Sequence, residues 1–227
     1  METLTKIPFS ADTDALMKQA HVEAGSDDAA DLAGLIKLAM SCSRPKAAYT
    51  VAFIDARDGD TVQIGGCLFT SRALSRKLES VERVFPVIAT CGREMDEVFD
   101  AKGDMVKEYW WDLIKTHALS AAQQELGDHL RRKFRLGTTV IMRPGSGDAA
   151  MWPIEQQKEL FALMGDAVPG TGVILMESFL MMPNKTTSGI LFQAEKDFRT
   201  CEVCHRDTCQ SRQAPFNKEL WGTLQHE

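Results

Sequence analysis

The sequence predicts an α+β domain, a mainly antiparallel, twisted sheet packed by helices, with a cysteine-rich C-terminal appendage. Three observations predict it. Tyr49, Val51, Phe53 and Ile54 suggest a strand, and an Asp58-Gly59-Asp60 turn and the run from Thr61 to Ile64 return it as a hairpin. Residues 84–90, VFPVIAT, form a short apolar run suited to a buried strand. Helical signal dominates from Glu94 to Phe134. No internal repeat, low-complexity tract or long linker divides the chain, so residues 1–197 read as one domain and residues 198–227 as the appendage.

Taken in order, Phe9-Ser10-Ala11-Asp12 reads as a hydrophobic staple and N-cap ahead of a short helix through Leu16 and Met17. Asp28 to Met40, with Leu32, Leu35, Ile36 and Leu38, predicts a second helix that Pro45 keeps from continuing. After the hairpin, Ser71 to Leu78 predicts a short helix, and Cys91-Gly92 closes the buried strand. Gly103-Asp104 splits the long helical region in two, and Ala118, Ala121 and Ala122 in its second part allow close packing. Tyr109-Trp110-Trp111 reads as the patch that packs this helix on the sheet. A strand over residues 138–142 runs into the loop Arg143-Pro144-Gly145-Ser146-Gly147-Asp148. Pro153 to Met164 follows as a helix, with Glu155 near its positive end. Val173–Met176 and Ser188–Phe192 are expected as a pair of strands.

The chain of 227 residues is long enough to bury a core without staples. Its net charge of −6 argues against general nucleic-acid binding, which needs a surplus of lysine and arginine. No apolar run approaches the roughly 18 residues of a membrane span. Of six cysteines, Cys42, Cys67 and Cys91 stand singly, which is not the layout of a secreted disulfide scaffold, and a reducing, cytoplasmic setting is expected.

Two stretches carry the chemistry. RPGSGDAAMWPIEQQKELFALMG at 143–165 places an arginine and two glycines between a strand end and a helix. Glycines admit backbone N–H groups to a ligand, and a guanidinium grips a carboxylate through two parallel bonds. By pattern alone the loop reads equally as a tight connection with a solvated arginine. GVILMESFLMMPNKTTSGILF follows at 172–192. Together the two stretches resemble the activation (reactivation) domain of vitamin B12-dependent methionine synthase. That family has an arginine closely followed by Pro-Gly-Tyr, then a Glu-Ser-Phe-x-Met-x-Pro segment and a Ser-Gly strand. Glu177-Ser178-Phe179, Pro183 and Ser188-Gly189 fall in the same order here. Ser146 stands in place of the family's tyrosine, and Ala149, Ala150 and Met151 read as an insertion before Trp152-Pro153.

The resemblance implies an accessory protein that binds S-adenosylmethionine and docks on a corrinoid (cobalamin) methyltransferase or methionine synthase. Oxidised cobalt is there returned to its methylated state, with an electron donor such as ferredoxin or flavodoxin. Carried over, Arg143 would grip the ligand's carboxylate and Pro144 and Gly145 would shape the loop. Glu177 would face the sulfonium or fix its own loop, and Phe198 would line the adenosine pocket.

Beyond the resemblance lies CEVCHRDTC at 201–209. Cys201, Cys204 and Cys209 have the spacing of thiolate ligands for an iron–sulfur (4Fe-4S) cluster or, alternatively, zinc. The fourth ligand is open among His205, Cys42, Cys67 and Cys91; a distant cysteine is favoured because Cys204 and the adjoining His205 would be strained together, and Cys91, at the end of the buried strand, is the choice. His21, His117, His129 and His226 show no metal spacing. A second class of function stays open: a non-catalytic, zinc-stabilised module that docks a corrinoid protein.

Overall fold

The computed structural model describes residues 1–147, 151–195, 197–209 and 212–225; Asp148, Ala149, Ala150 and His226, named above, lie outside them. The chain runs β1 (Glu2–Leu4), α1 (Thr13–Gln19), α2 (Asp27–Cys42), β2 (Lys46–Tyr49), β3 (Ala52–Asp58), β4 (Thr61–Ile64), β5 (Cys67–Thr70), α3 (Arg72–Lys77) and β6 (Arg83–Thr90). It continues with α4 (Glu94–Val98), α5 (Met105–Phe134), β7 (Thr139–Met142), α6 (Gln157–Met164), β8 (Ile174–Leu175), β9 (Met181–Met182), β10 (Thr186–Gln193) and α7 (Lys218–Gln225).

The predicted α+β architecture is the one observed. An eight-stranded antiparallel sheet runs β1-β2-β6-β3-β4-β5, with β10 pairing both β6 and β7. Seven of the eight residues of β6 are buried, as its apolar run requires. One edge of β6 takes β10 along residues 85–90, and the other is shared by β2 and β3. That sharing explains why the strand expected to continue through residue 54 breaks at Thr50–Val51: two segments are needed to follow one long twisted partner.

Side chains alternate across the sheet. Phe85, Val87, Ala89 and Leu191 face a core built with α2 and α5, while Val84, Ile190 and Phe192 face a second core with Phe69, Trp152 and Leu160. The 30-residue α5 lays Ile114, Ala118, Ala122, Leu126 and Leu130 on the first face at helical spacing. The Asp104 side chain caps its first turn by accepting from Val106 and Lys107 N–H, and Arg135 in the left-handed region ends it. Trp110 and Trp111 pack as expected, but Tyr109 is half exposed and its hydroxyl donates to Gln19 O of α1.

The expected pairing of residues 173–176 with 188–192 is not found. β8 pairs β9 in a separate two-stranded hairpin, because the Glu177–Phe179 turn, with Phe179 at φ 64°, folds the chain back on itself. Its exit is tied to the helical layer: Lys115, buried on α5, donates to both Asp96 and Asn184 Oδ1, and Lys185 pairs with Asp112 at 2.7 Å. The appendage is also part of the body, since Phe198, Val203 and Leu224 bury into the second core. No helix among the described residues is long and apolar enough to cross a membrane.

Two stability outcomes are expected. Asp96→Ala leaves the Lys115 ammonium short of a partner and should cost about 2 kcal/mol, below the range for fully buried pairs because Asp96 is one-third exposed, as read from urea unfolding. Glu2 accepts from Tyr49 Oη at 2.7 Å and from Lys133, and the lysine and tyrosine contacts hold its carboxyl down to about 2. A depressed carboxylate contributes stability above its unfolded value that is lost as pH falls. The melting-temperature gap between wild type and Glu2→Gln should therefore be present at pH 5 and close as pH drops from about 4.5 towards 2.

Candidate anion-binding site

Arg143 follows the last residue of β7, beside β10, where Met142 pairs Ile190. The neighbouring Gly189 makes its placement possible. A Cβ there would fall 2.5 Å from Met142 O and 3.0 Å from Arg143 Cγ, so the arginine stem occupies the space that any larger residue would fill. Arg143 is half-buried as a residue, and its guanidinium is sunk among protein atoms. Its Nε is sealed from water and has no hydrogen-bond partner, and no ion pair reaches Arg143 among the described residues. Burial pushes the guanidinium below its ordinary pKa, and the neighbouring charge of Arg199 pushes in the same direction. A recessed cation without a counter-ion is costly, and an incoming anion relieves both effects.

The loop is held firmly at both ends. Gly145 N–H donates to Trp152 O at 2.8 Å and Ser146 N–H to Arg143 O at 3.2 Å. Gly145 sits at φ 72°, with Ile154 Cβ 2.9 Å from where a Cβ would lie, so glycine is required twice over. Pro144 is buried, as a loop-shaping residue should be. Trp152 is sealed against Phe69 at 5.9 Å, and its Nε1 donates to Gln156 Oε1 at 3.0 Å. The expected helix from Pro153 therefore begins as a 3-10 turn, Ile154–Gln156, whose Gln156 side chain also bonds both backbone groups of Thr70.

The other residues expected at the site are placed as follows. Glu177 stands exposed at the tip of the β8–β9 hairpin, and Phe179 beside it lies under Lys158 Nζ at 5.1 Å. Phe198 is packed into the second core with Lys77 Nζ 4.0 Å over its ring, so it anchors the tail. Arg199, which sequence reading did not single out, lies one residue before Thr200. Gly147, at φ 85°, is the contact: a Cβ there would lie 3.4 Å from Thr200 O. The start of the cysteine segment thus packs on the Arg143 loop.

Cys201, Cys204 and Cys209 are half-buried free thiols on one loop. Arg212 holds that loop by donating to four carbonyls, those of Cys201, Cys204, Arg206 and Ala214, at 2.7 to 3.0 Å. Gln213 N–H donates to Cys201 Sγ at 3.4 Å. His205 stacks against Phe216 and Trp221. Cys91 lies instead in the first core, fully buried, with its thiol pushed up to about 12 chiefly by burial. The structure does not bring it to the tail cysteines, whose segment packs on the second core. Cys42 and Cys67 likewise have thiols raised by burial. Among the described residues no three His, Cys, Asp or Glu side chains gather in a geometry that could hold a metal ion. The donor chemistry suits a soft metal; the arrangement described does not converge on one.

No family model matches the chain, and no curated protein matches it. A solved structure of the MetH reactivation domain bound to AdoHcy is similar to it in fold, with a TM-score of 0.57 and 16% identity. The match covers 88% of this chain and 80% of that one. At this identity the likeness establishes the fold.

Gly189→Ala should drive Arg143 out of its slot and cost about 1–3 kcal/mol by overpacking, seen as a lower melting temperature.

Proposed function

We propose that the chain binds S-adenosylmethionine or its product AdoHcy, with the ligand's carboxylate on Arg143, and acts on a corrinoid-dependent methyltransferase or methionine synthase to restore oxidised cobalt. The observation that carries this reading is the recessed Arg143 guanidinium with its unpartnered Nε. It is supported by a fold shared with a domain solved with AdoHcy bound. A guanidinium already sunk in position lends its donors to a carboxylate with little reorganisation.

The chemistry belongs to the partner's corrinoid: one electron, from a donor such as ferredoxin or flavodoxin, takes Co(II) to Co(I), and methyl transfer from the sulfonium then yields methyl-Co(III) and AdoHcy. This chain's part is binding and orientation. Arg143 fixes the amino-acid end of the ligand, Pro144, Gly145 and Gly189 fix Arg143, and the β8–β9 hairpin carries Glu177 as a carboxylate for a positive group.

A second reading, that the tail binds an iron–sulfur cluster or zinc, is favoured by the three thiols on one Arg212-bound loop and by the N–H donated to Cys201 Sγ. Iron would make the tail an electron carrier; zinc would make it a structural knuckle in a docking module.

Calorimetry with AdoHcy should show binding to the wild type and at least about tenfold weaker binding to Arg143→Ala, the loss of a charged hydrogen-bonding pair. No heat from the wild type would sink the reading. Purification without oxygen followed by iron, sulfide and zinc assays separates the tail's possibilities: iron with sulfide supports the carrier, stoichiometric zinc the knuckle, and neither removes both.

A further inference from the structure

The cysteine segment and the Arg143 loop touch, and one residue spans the distance between their chemistries. Gln213 donates its backbone N–H to Cys201 Sγ at 3.4 Å, while its side-chain Oε1 accepts from Arg199 Nη1 at 3.3 Å. Among the described residues the Arg199 guanidinium's other partner is Asp197 at 3.3 Å, an ion pair in which both side chains are more than half exposed, while its backbone N–H donates to Glu202. Such a pair contributes little, so exchanging Asp197 for a ligand anion costs little. Arg199 also lines a cleft of about 610 Å³ with Asp197, Glu202, Gln213 and Ala214. Its next residue, Thr200, packs on Gly147 of the Arg143 loop. The charge of Arg199 adds to burial in lowering the pKa of Arg143.

We propose that Arg199 is the second cationic residue of the Arg143 anion site, and that Gln213 ties its position to the sulfur of Cys201. The cysteine segment is then a wall of the ligand site. Its cleft offers Arg199 for a carboxylate and Asp197 and Glu202 for an ammonium, which suits the zwitterionic end of an amino-acid ligand. This deepens the ligand reading above and rests on it. Because Gln213 is bonded at both ends, the coupling runs both ways: whatever occupies the sulfur of Cys201 shifts the hold on Arg199, and an anion on Arg199 shifts the environment of that sulfur.

The test uses the full chain, with circular dichroism to verify folding, in two measurements. In calorimetry with AdoHcy, Arg199→Ala should weaken binding about tenfold, Arg199→Lys less, and Gln213→Ala and Cys201→Ser about threefold, the sizes of a charged and a neutral hydrogen bond. In mass spectrometry, saturating AdoHcy or sulfate should slow the reaction of iodoacetamide with Cys201 relative to Cys204, and Gln213→Ala should abolish that difference. If AdoHcy binds through Arg143 but Arg199→Ala and Gln213→Ala match the wild type, the coupling is overturned and the ligand reading stands. If AdoHcy does not bind but sulfate still protects Cys201 through Arg199 and Gln213, the ligand reading falls and the coupling stands. If neither anion changes the rate at Cys201, the coupling is overturned.

Discussion

Everything in this fold hangs on one strand that is buried along almost its whole length. β6 is buried along seven of its eight residues and shares its edges with three partners. A strand covered on both faces must be apolar throughout, and VFPVIAT is. Its length sets the rest: β2 and β3 divide one of its edges, and β10 runs along the other. Because β10 also pairs β7, the position of Arg143 is fixed by two ladder registers counted outward from β6. The candidate site is thereby built at the end of an edge strand whose register is set from β6.

Much of this frame was legible in the sequence, because long periodic segments announce themselves. The two helices at residues 27–42 and 105–134, the break at Gly103-Asp104 and the buried strand all follow from spacing and capping residues. The elements missed were mostly short: β1, β5 and β9, of three, four and two residues, and α7 in the tail. Three or four residues cannot establish a period, and pairing with a distant strand decides their state. The pairing expected between residues 173–176 and 188–192 failed for a related reason. Turn geometry at Phe179 is local and overrode the longer-range match.

The site was legible in part. The Arg-Pro-Gly stretch marked the loop, but nothing in the residue string says that Arg143 finds no counter-ion among the described residues; that is a property of what surrounds it. Arg199 and Gln213 were invisible because each acts through a neighbour fixed only by folding. Phe198 was expected at the adenosine pocket from the family resemblance; its ring is buried in the second core beneath Lys77. Cys91 was chosen for its place at a strand end, yet that strand end points into the helical layer.

The Arg212 clasp has a consequence for how the molecule is made. Three of the four carbonyls it holds, those of Cys201, Cys204 and Arg206, precede it in the chain. Synthesis is vectorial, at about 5–20 residues per second, so the thiols emerge before the side chain that closes their loop. Before Arg212 emerges, Cys201 O can accept from Cys204 N–H, whereas the carbonyls of Cys204 and Arg206 gain their arginine partner only afterwards. The tail thus takes its form in order: its first turn closes locally, and the clasp follows.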